Sequence, residues 1–296
     1  MTLLAPRRRR RGVDPGRAGR WFVLPAVGLL AFFFAYPLLA SLWQSLTSTE
    51  AGVSLFVGIS QYQRLFADPL IAKSLFNAGI ILIIQVPLMM ALAVGLAYLL
   101  NQSWLRFRSG FRLLTFLPAV TTLVAYAVVF RVLLATDGGA VNQLLGLAGI
   151  GPVDWLNNEW WARAAVIAAV TWRWTGYNMV IILAGLQSIP GELYEAARID
   201  GASRWQTFWH VILPQLRPVL IFTSVTSTIG ALQLFDENFI LTGGGPNDAT
   251  LTPVLYLYKV GFRQFDFGYA SAIAWMLVVL TAIIAVVQFR VMREKP

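Results

Sequence analysis

The sequence predicts an all-α integral membrane protein with about six transmembrane helices. Of its 296 residues, 57% are hydrophobic and 12% are charged, which is too few polar side chains to cover a soluble domain of this size. Three long segments contain no Asp, Glu, Lys or Arg: Trp21–Thr49, Ser74–Leu105 and Phe267–Phe289. At 1.5 Å per helical residue, each can cross about 30 Å of hydrocarbon.

Each predicted span is an apolar run between polar or glycine-rich segments. The six runs lie at residues 21–46, 74–100, 111–135, 162–187, 216–241 and 268–290. The third, fourth and fifth also carry ionisable groups, which are Arg131, Arg173 and the pair Asp236 and Glu237. A charge at the centre of a membrane helix costs at least roughly 2.5–3.5 kcal/mol, so these groups serve either a polar pathway or ion pairs that fix the packing. The sequence favours neither interpretation.

The basic residues predict the orientation and a division at residue 20. Residues 1–20 contain seven arginines and form a basic tail ahead of the membrane domain at 21–296. If this tail is cytoplasmic, the inside segments carry 16 Lys and Arg and the outside segments carry 5. This bias places both termini and the loop 190–214 in the cytoplasm. A basic tail beside a span is typical of a topology signal or a contact with anionic lipid, so no nucleic-acid partner is expected.

Two of the outer segments are too polar or too rich in glycine to span. They are residues 58–69 and 137–161, and the second contains Trp155, Trp160 and Trp161, which suit a membrane interface. We expect them to form a cap over the bundle.

The polar loop 190–214 between the fourth and fifth spans has the most specific pattern in the chain. Leu193, Ala196 and Ala197 form a narrow apolar stripe on a first short helix, and Gly201 can end that helix in a left-handed conformation. Ser203 and Gln206 have the spacing of a capping box that begins a second helix. On that helix, the side chains that share one face for burial against protein or lipid headgroups are Trp205, Phe208, Trp209 and Ile212.

The same loop resembles the EAA loop of the inner-membrane permease subunits of binding-protein-dependent ABC importers. Glu195-Ala196-Ala197 is followed after three residues by Gly201 and after nine more by Val211-Ile212-Leu213-Pro214, with Val211 in place of the family's isoleucine. The resemblance extends over nearly the whole chain and is similar to the carbohydrate-uptake branch, of the maltose and glycerol-phosphate permease type. The segments that carry it are LPAVGLLAFFFAYPLLASLWQSL, FVGISQYQRLFADP, LQSIPGELYEAARIDGA and LTGGGP.

The resemblance implies a role for the loop and a set of partners. The coupling residues would be Glu195, which meets a basic residue of a cytoplasmic ATPase, the small Ala196 and Ala197, which permit close approach, and Asp200 with Gly201 at the turn. It also implies a second homologous permease subunit, two ATPase subunits and an extracytoplasmic substrate-binding protein. A homodimer of permeases remains open. The implied location is a bacterial-type inner membrane.

No ATP-hydrolysing site is expected in this chain. A P-loop needs a lysine after glycine, but Lys73, Lys259 and Lys295 follow Ala, Tyr and Glu. The chain is therefore not expected to be an enzyme or to hold a cofactor, and ATP and Mg would be bound by the partner ATPase. An ion-gradient-coupled secondary carrier is the alternative. A membrane-embedded enzyme or assembly factor is less favoured, because there is no cysteine, His210 is the single histidine, and no metal is expected.

A sugar pathway needs aromatic faces and hydrogen-bonding groups inside the membrane. Such groups are concentrated on the fourth and fifth spans, and Gln85 on the second span is a weaker candidate. The predicted pathway residues are Trp172, Trp174, Tyr177, Asn178, Gln233, Asp236, Glu237 and Asn238.

Overall fold

The computed structural model describes residues 15–50, 53–102 and 104–292, so the tail residues 1–14 lie outside the described part. It confirms the all-α prediction, apart from one short antiparallel hairpin formed by β1 (Thr47–Glu50) and β2 (Val53–Phe56). The α-helices in chain order are α1 Pro15–Leu30, α2 Tyr36–Gln44, α3 Ser60–Ala67, α4 Pro69–Asn101, α5 Arg108–Val120, α6 Leu123–Leu133, α7 Ala140–Leu147, α8 Glu159–Gln187, α9 Gly191–Ile199, α10 Arg204–Thr207, α11 Leu213–Leu232, α12 Asp236–Leu241, α13 Pro253–Tyr258 and α14 Phe267–Met292.

Five helical stretches of this part of the chain are long and apolar enough to cross a membrane, and a bent pair makes a sixth. In chain order, the first span joins α1 to α2 through a π-helical turn at Ala31–Ala35. The second span is α4, the fourth is α8 and the sixth is α14. The predicted number of spans is therefore confirmed. Helix α1 begins at Pro15, six residues before the predicted start of the first span.

The third span is broken, although residues 111–135 were expected to form one helix. Helices α5 and α6 meet at an angle of 98°. Thr121 and Thr122 between them have extended backbones, and the Thr121 hydroxyl donates to the Pro118 carbonyl at 2.7 Å, which closes the end of α5. Because both threonines are uncharged, the break leaves no trace in the hydropathy of the segment.

The fifth span also differs from the helix expected at residues 216–241. Helix α10 continues through a π-helical turn at Phe208–Ile212 into α11, which ends at Leu232, and α12 is a separate short helix. Two long-range hydrogen bonds hold the non-helical connection. The Thr252 hydroxyl donates to the Leu234 carbonyl at 2.7 Å, and the Asn238 amide donates to the Thr250 carbonyl at 2.5 Å.

The core lies along α4 and α8 and has one apolar cluster at each end of the bundle. We call the end that carries α9 the EAA end, and the end that carries α3, α7 and α13 the cap end. At the EAA end, Ala97, Ile182 and Leu216 are buried among α4, α8 and α11. At the cap end, Leu65, Leu255 and Tyr269 join α3, α13 and α14. The two clusters hold the helices that border the candidate site.

A single amide joins several elements at the cap end. Asn77 is fully buried on α4, and its amide donates to the carbonyls of Asp248 at 2.7 Å and Leu251 at 3.0 Å. Its Oδ1 accepts from Arg163 of α8 at 3.2 Å. Asn77 therefore connects the second span, the fourth span and the loop that precedes α13.

Candidate functional site

The EAA loop forms the short helix and glycine turn that its sequence predicts. Gly201 adopts φ +71°, and the N–H groups of Gly201 and Ala202 donate to the carbonyls of Arg198 and Ala197, which is the Schellman arrangement. No atom lies within 4 Å of where a Cβ would stand at Gly201, so glycine is required there for its backbone conformation alone. The capping box of Ser203 and Gln206 is also present and starts α10.

Helix α9 divides its side chains between the bundle and the solvent. Glu195 and Ala196 are exposed, as is Asp200 at the end of the helix, whereas Ala197 is only 7% exposed. Ile199, which the sequence reasoning missed, is 85% exposed and gives this polar surface an apolar contact point. The predicted coupling residues thus present Glu195, Ala196, Asp200 and the Gly201 turn outward, while Ala197 packs inside this chain.

Tyr194 and Phe208 attach the loop to the bundle. Both pack against the apolar cluster at the EAA end, where the ring of Phe208 meets Tyr98 edge to face at 5.1 Å. Burial, together with the neighbouring Tyr98, raises the pKa of the Tyr194 hydroxyl. These two side chains therefore pack the loop against the cluster that α4, α8 and α11 form at the EAA end.

The face expected on the second helix of the loop is only half buried. Ile212 is 3% exposed and Phe208 is half-buried, but Trp205 and Trp209 are 71% and 46% exposed. The winding changes from α to π at Phe208–Ile212, which lies after Trp205 and within the expected stripe. The two tryptophans remain available for lipid headgroups or a partner.

A cavity of about 390 Å³ lies between α4, α8, α11 and the connection to α12. Helix α8 contributes residues at helical spacing, since Val170, Arg173, Trp174, Tyr177 and Asn178 share one face. The full lining is Gln85, Met89, Leu123, Val170, Arg173, Trp174, Tyr177, Asn178, Thr226, Ser227, Gly230, Ala231, Gln233, Leu234, Phe235, Asp236 and Glu237.

Most of the predicted pathway residues line this cavity, together with Gln85. They are Trp174, Tyr177, Asn178, Gln233, Asp236 and Glu237. Two others do not line it. The ring of Trp172 lies tilted against that of Phe130 of α6, with centroids 5.4 Å apart, and Asn238 is fully buried and bonded to Thr250. Their positions favour packing roles.

The cavity combines aromatic and amide groups. The rings of Trp174 and Tyr177 are perpendicular with centroids 5.7 Å apart. The Asn178 amide is only 3% exposed, donates to the Trp174 carbonyl at 3.1 Å and accepts from the Ser227 hydroxyl at 3.3 Å. The sequence reasoning missed Thr226 and Ser227. Ser227 and Thr226 lie three and four residues before Gly230 on α11, so helical spacing would have placed both on the same face as Gly230.

The ionisable groups at membrane depth form no ion pairs that fix packing. Within residues 15–50, 53–102 and 104–292, no salt bridge within 4.0 Å involves Arg131, Arg173, Asp236 or Glu237. Arg131 instead lies with Asp137 in a larger cavity of about 690 Å³ at the cap end. In the same ranges, no group of three His, Asp or Glu side chains could hold a metal ion.

Comparisons with known proteins agree with this architecture. The chain is 43% identical to the lactose transport system permease protein LacF of Rhizobium radiobacter over 94% of each chain. It is 32% identical to the trehalose/maltose transport system permease protein MalF of Thermococcus litoralis, also over 94% of each. A solved bacterial ABC transporter involved in the import of the acidic polysaccharide alginate has the same fold, with a TM-score of 0.83, 22% identity and coverage of 95% of this chain and 96% of that chain.

The family model that matches residues 89–293 describes the binding-protein-dependent transport system inner membrane component. The matched range includes the last part of α4, all of α8, the EAA loop and α11. This protein is therefore a multi-pass membrane permease that belongs to the family of binding-protein-dependent transport system inner membrane components.

Proposed function

We propose that this chain is a transmembrane permease subunit of an ATP-driven ABC importer that moves a sugar, oligosaccharide or polyol-type solute. The names of its relatives support the solute class, since they transport lactose, trehalose/maltose and arabinooligosaccharides. The lining of the 390 Å³ cavity has the matching chemistry, because Trp174 and Tyr177 offer aromatic surface and Gln85 and Asn178 offer amide groups. The cavity is the proposed passage at membrane depth.

The EAA loop is the proposed point at which force enters from the ATPase. Helix α9 presents Glu195, Ala196 and Ile199 to solvent while Tyr194 anchors it to the bundle, as a coupling element requires. Closure of an ATPase dimer on ATP would push α9, and the attached α4, α8 and α11 would swing between inward-open and outward-open states. ATP and Mg would be bound by the ATPase.

The proposed assembly contains a second homologous permease, two ATPase subunits and an extracytoplasmic substrate-binding protein. A homodimer of this chain would also supply two coupling loops. The alginate importer has been solved in complex with an alginate pentasaccharide-bound periplasmic protein, which supports a binding-protein partner for this fold. The bias of Lys and Arg supports a cytoplasmic EAA end with both termini inside and the cap end facing the binding protein.

The exposed, glycine-terminated α9 is the observation that carries the proposal. We expect Glu195→Lys combined with Gly201→Asp to abolish uptake and substrate-stimulated ATPase activity in the reconstituted importer. The first change reverses a charge at the contact, and the second places a side chain at φ +71°. Glu192→Lys, an equal charge reversal in the first turn of α9, leaves Glu195 and the Gly201 turn unchanged, so it is the control and should retain more uptake than the double variant. Full activity of the double variant would refute the coupling role.

A further inference from the structure

Arg173 stands out in the cavity because it is buried without a partner. It lies midway along α8 and is 6% exposed. Its Nε and Nη1 atoms are buried and form no hydrogen bond, and the guanidinium carbon lies 4.7 Å from the Tyr126 ring centroid and 5.5 Å from the Trp174 ring centroid. Aromatic faces attract a cation but leave its N–H donors unsatisfied. Two donors of this guanidinium are therefore free to bind an oxygen acceptor that enters the cavity.

We propose that Arg173 is a substrate-recognition residue whose guanidinium donates to neighbouring hydroxyl oxygens of a neutral sugar ring in the cavity. The inference rests on the proposed function and adds the residue and the charge class. A guanidinium presents parallel N–H groups in a fixed plane, which suits two adjacent oxygens better than a single one. Trp174, which touches the same guanidinium, and Tyr177 provide the apolar surface for the ring.

The carboxyl groups of the cavity favour a neutral sugar over an anionic one. Asp236 and Glu237 line the same cavity, and Glu237 and Arg173 both act electrostatically on the Tyr126 hydroxyl. With two carboxyl groups against one guanidinium, the cavity has no surplus positive charge to attract an anion. A sugar hydroxyl can bind to both kinds of group, since its oxygen accepts from Arg173 and its O–H donates to a carboxylate.

A second arginine on the same helix provides a matched control. Arg163 is also 6% exposed, and its guanidinium carbon also lies 4.7 Å from an aromatic centroid, that of Trp160. Arg163 does not line the cavity, however, and it donates to Asn77 at 3.2 Å, although its Nε is also buried without a hydrogen bond. Both Arg163→Gln and Arg173→Gln therefore remove a buried arginine, but only Arg173→Gln removes a hydrogen-bond donor from the cavity.

The first test measures uptake of radiolabelled lactose by the assembled importer in proteoliposomes, per assembled complex and with saturating binding protein. We expect Arg173→Gln to reduce uptake about tenfold or more below Arg163→Gln, since hydrogen bonds to a charged donor are lost. Arg173→Lys, which keeps the charge but loses the planar fork, should fall about tenfold below the native protein. Equal uptake by Arg173→Gln and Arg163→Gln, or native uptake by Arg173→Lys, would overturn the inference.

The second test measures sugar binding without the binding protein. In saturation-transfer NMR on the solubilised complex, saturation should pass from the native protein to the signals of lactose. It should not pass to the same disaccharide carrying a carboxylate at C6 of galactose. Arg173→Lys should lose the lactose signal. Stronger transfer to the carboxylate sugar would refute the neutral class. Absence of both uptake and saturation transfer with the native protein, for disaccharides, oligosaccharides and polyols alike, would refute the proposed function itself. Native uptake that is indifferent to Arg173 refutes only this inference.

Discussion

At the residue scale, Asp68 shows how one carboxylate organises the cap end. It precedes α4 and accepts from the Leu70 N–H at 2.8 Å and from the hydroxyls of Tyr256 at 2.6 Å and Tyr269 at 2.7 Å. Burial alone would raise the pKa of Asp68, but these hydrogen bonds outweigh it and hold the pKa below its ordinary value of 3.8. The charged form is therefore favoured by the fold.

We expect Asp68→Asn to destabilise the protein at neutral pH by about 1–2 kcal/mol, because the amide accepts fewer hydrogen bonds and carries no charge. A lowered folded pKa gives stability that is present above pH 3.8 and is lost as the pH falls through the folded value. The difference between native and variant should thus shrink below pH 3.8, as measured by thermal unfolding of the purified complex across pH. Asp137→Asn, at an exposed cap-end carboxylate, is the control. A difference that stays constant with pH would contradict this role.

At the element scale, the contact between α5 and α8 depends on Gly176. A Cβ at this position would overlap the Thr115 carbonyl of α5, and the atoms in the way belong to the backbone. Small residues at such crossings let helix backbones approach closely in a membrane. The absence of a side chain at Gly176 therefore lets α5, the first half of the broken third span, pack closely against α8, which lines the cavity.

We expect Gly176→Ala to displace α5 and to destabilise the protein by about 1–3 kcal/mol, as overpacking typically does. The matched control is Gly95→Ala on α4, where no atom lies within 4 Å of the added Cβ. That change should be neutral or stabilising by up to about 1 kcal/mol, because alanine has the higher helix propensity. Thermal unfolding of both purified complexes measures the effect, and equal shifts would show that the α5 contact is unimportant.

Elements that follow from local composition and capping residues were predicted from the sequence. Element ends that depend on hydrogen bonds to distant parts of the chain were not. Apolar runs predicted six spans, and local capping chemistry predicted the turns at Gly201 and Ser203. The end of α11 at Leu232 was missed because the hydroxyl that holds the Leu234 carbonyl belongs to Thr252, far along the chain. Helical spacing would have shown that Trp172 lies off the face of α8 that lines the cavity. The hydrogen bond between Asn238 and Thr250, in contrast, is visible only in the fold.

At the scale of the whole molecule, the source of energy separates the proposed importer from an ion-coupled carrier. The ionisable groups at membrane depth, such as Arg173 and Glu237, would also suit a proton relay. For the importer, we expect uptake into vesicles that contain ATP to continue after ionophores collapse the ion gradients. Vesicles with a gradient but no ATP are the control and should show no uptake. Loss of uptake on adding the ionophore alone would favour the carrier.

The connections of Asn77 at the cap end bear on how such a molecule can move. Its amide and carbonyl oxygen fasten the loop at Asp248 and Leu251 to α4 and, through Arg163, to α8. Breaking these buried hydrogen bonds is costly, so we expect the loop and both helix ends to move together. If the proposed importer opens outward, the pivot would then lie closer to the EAA end, and the displacement would grow with distance from it.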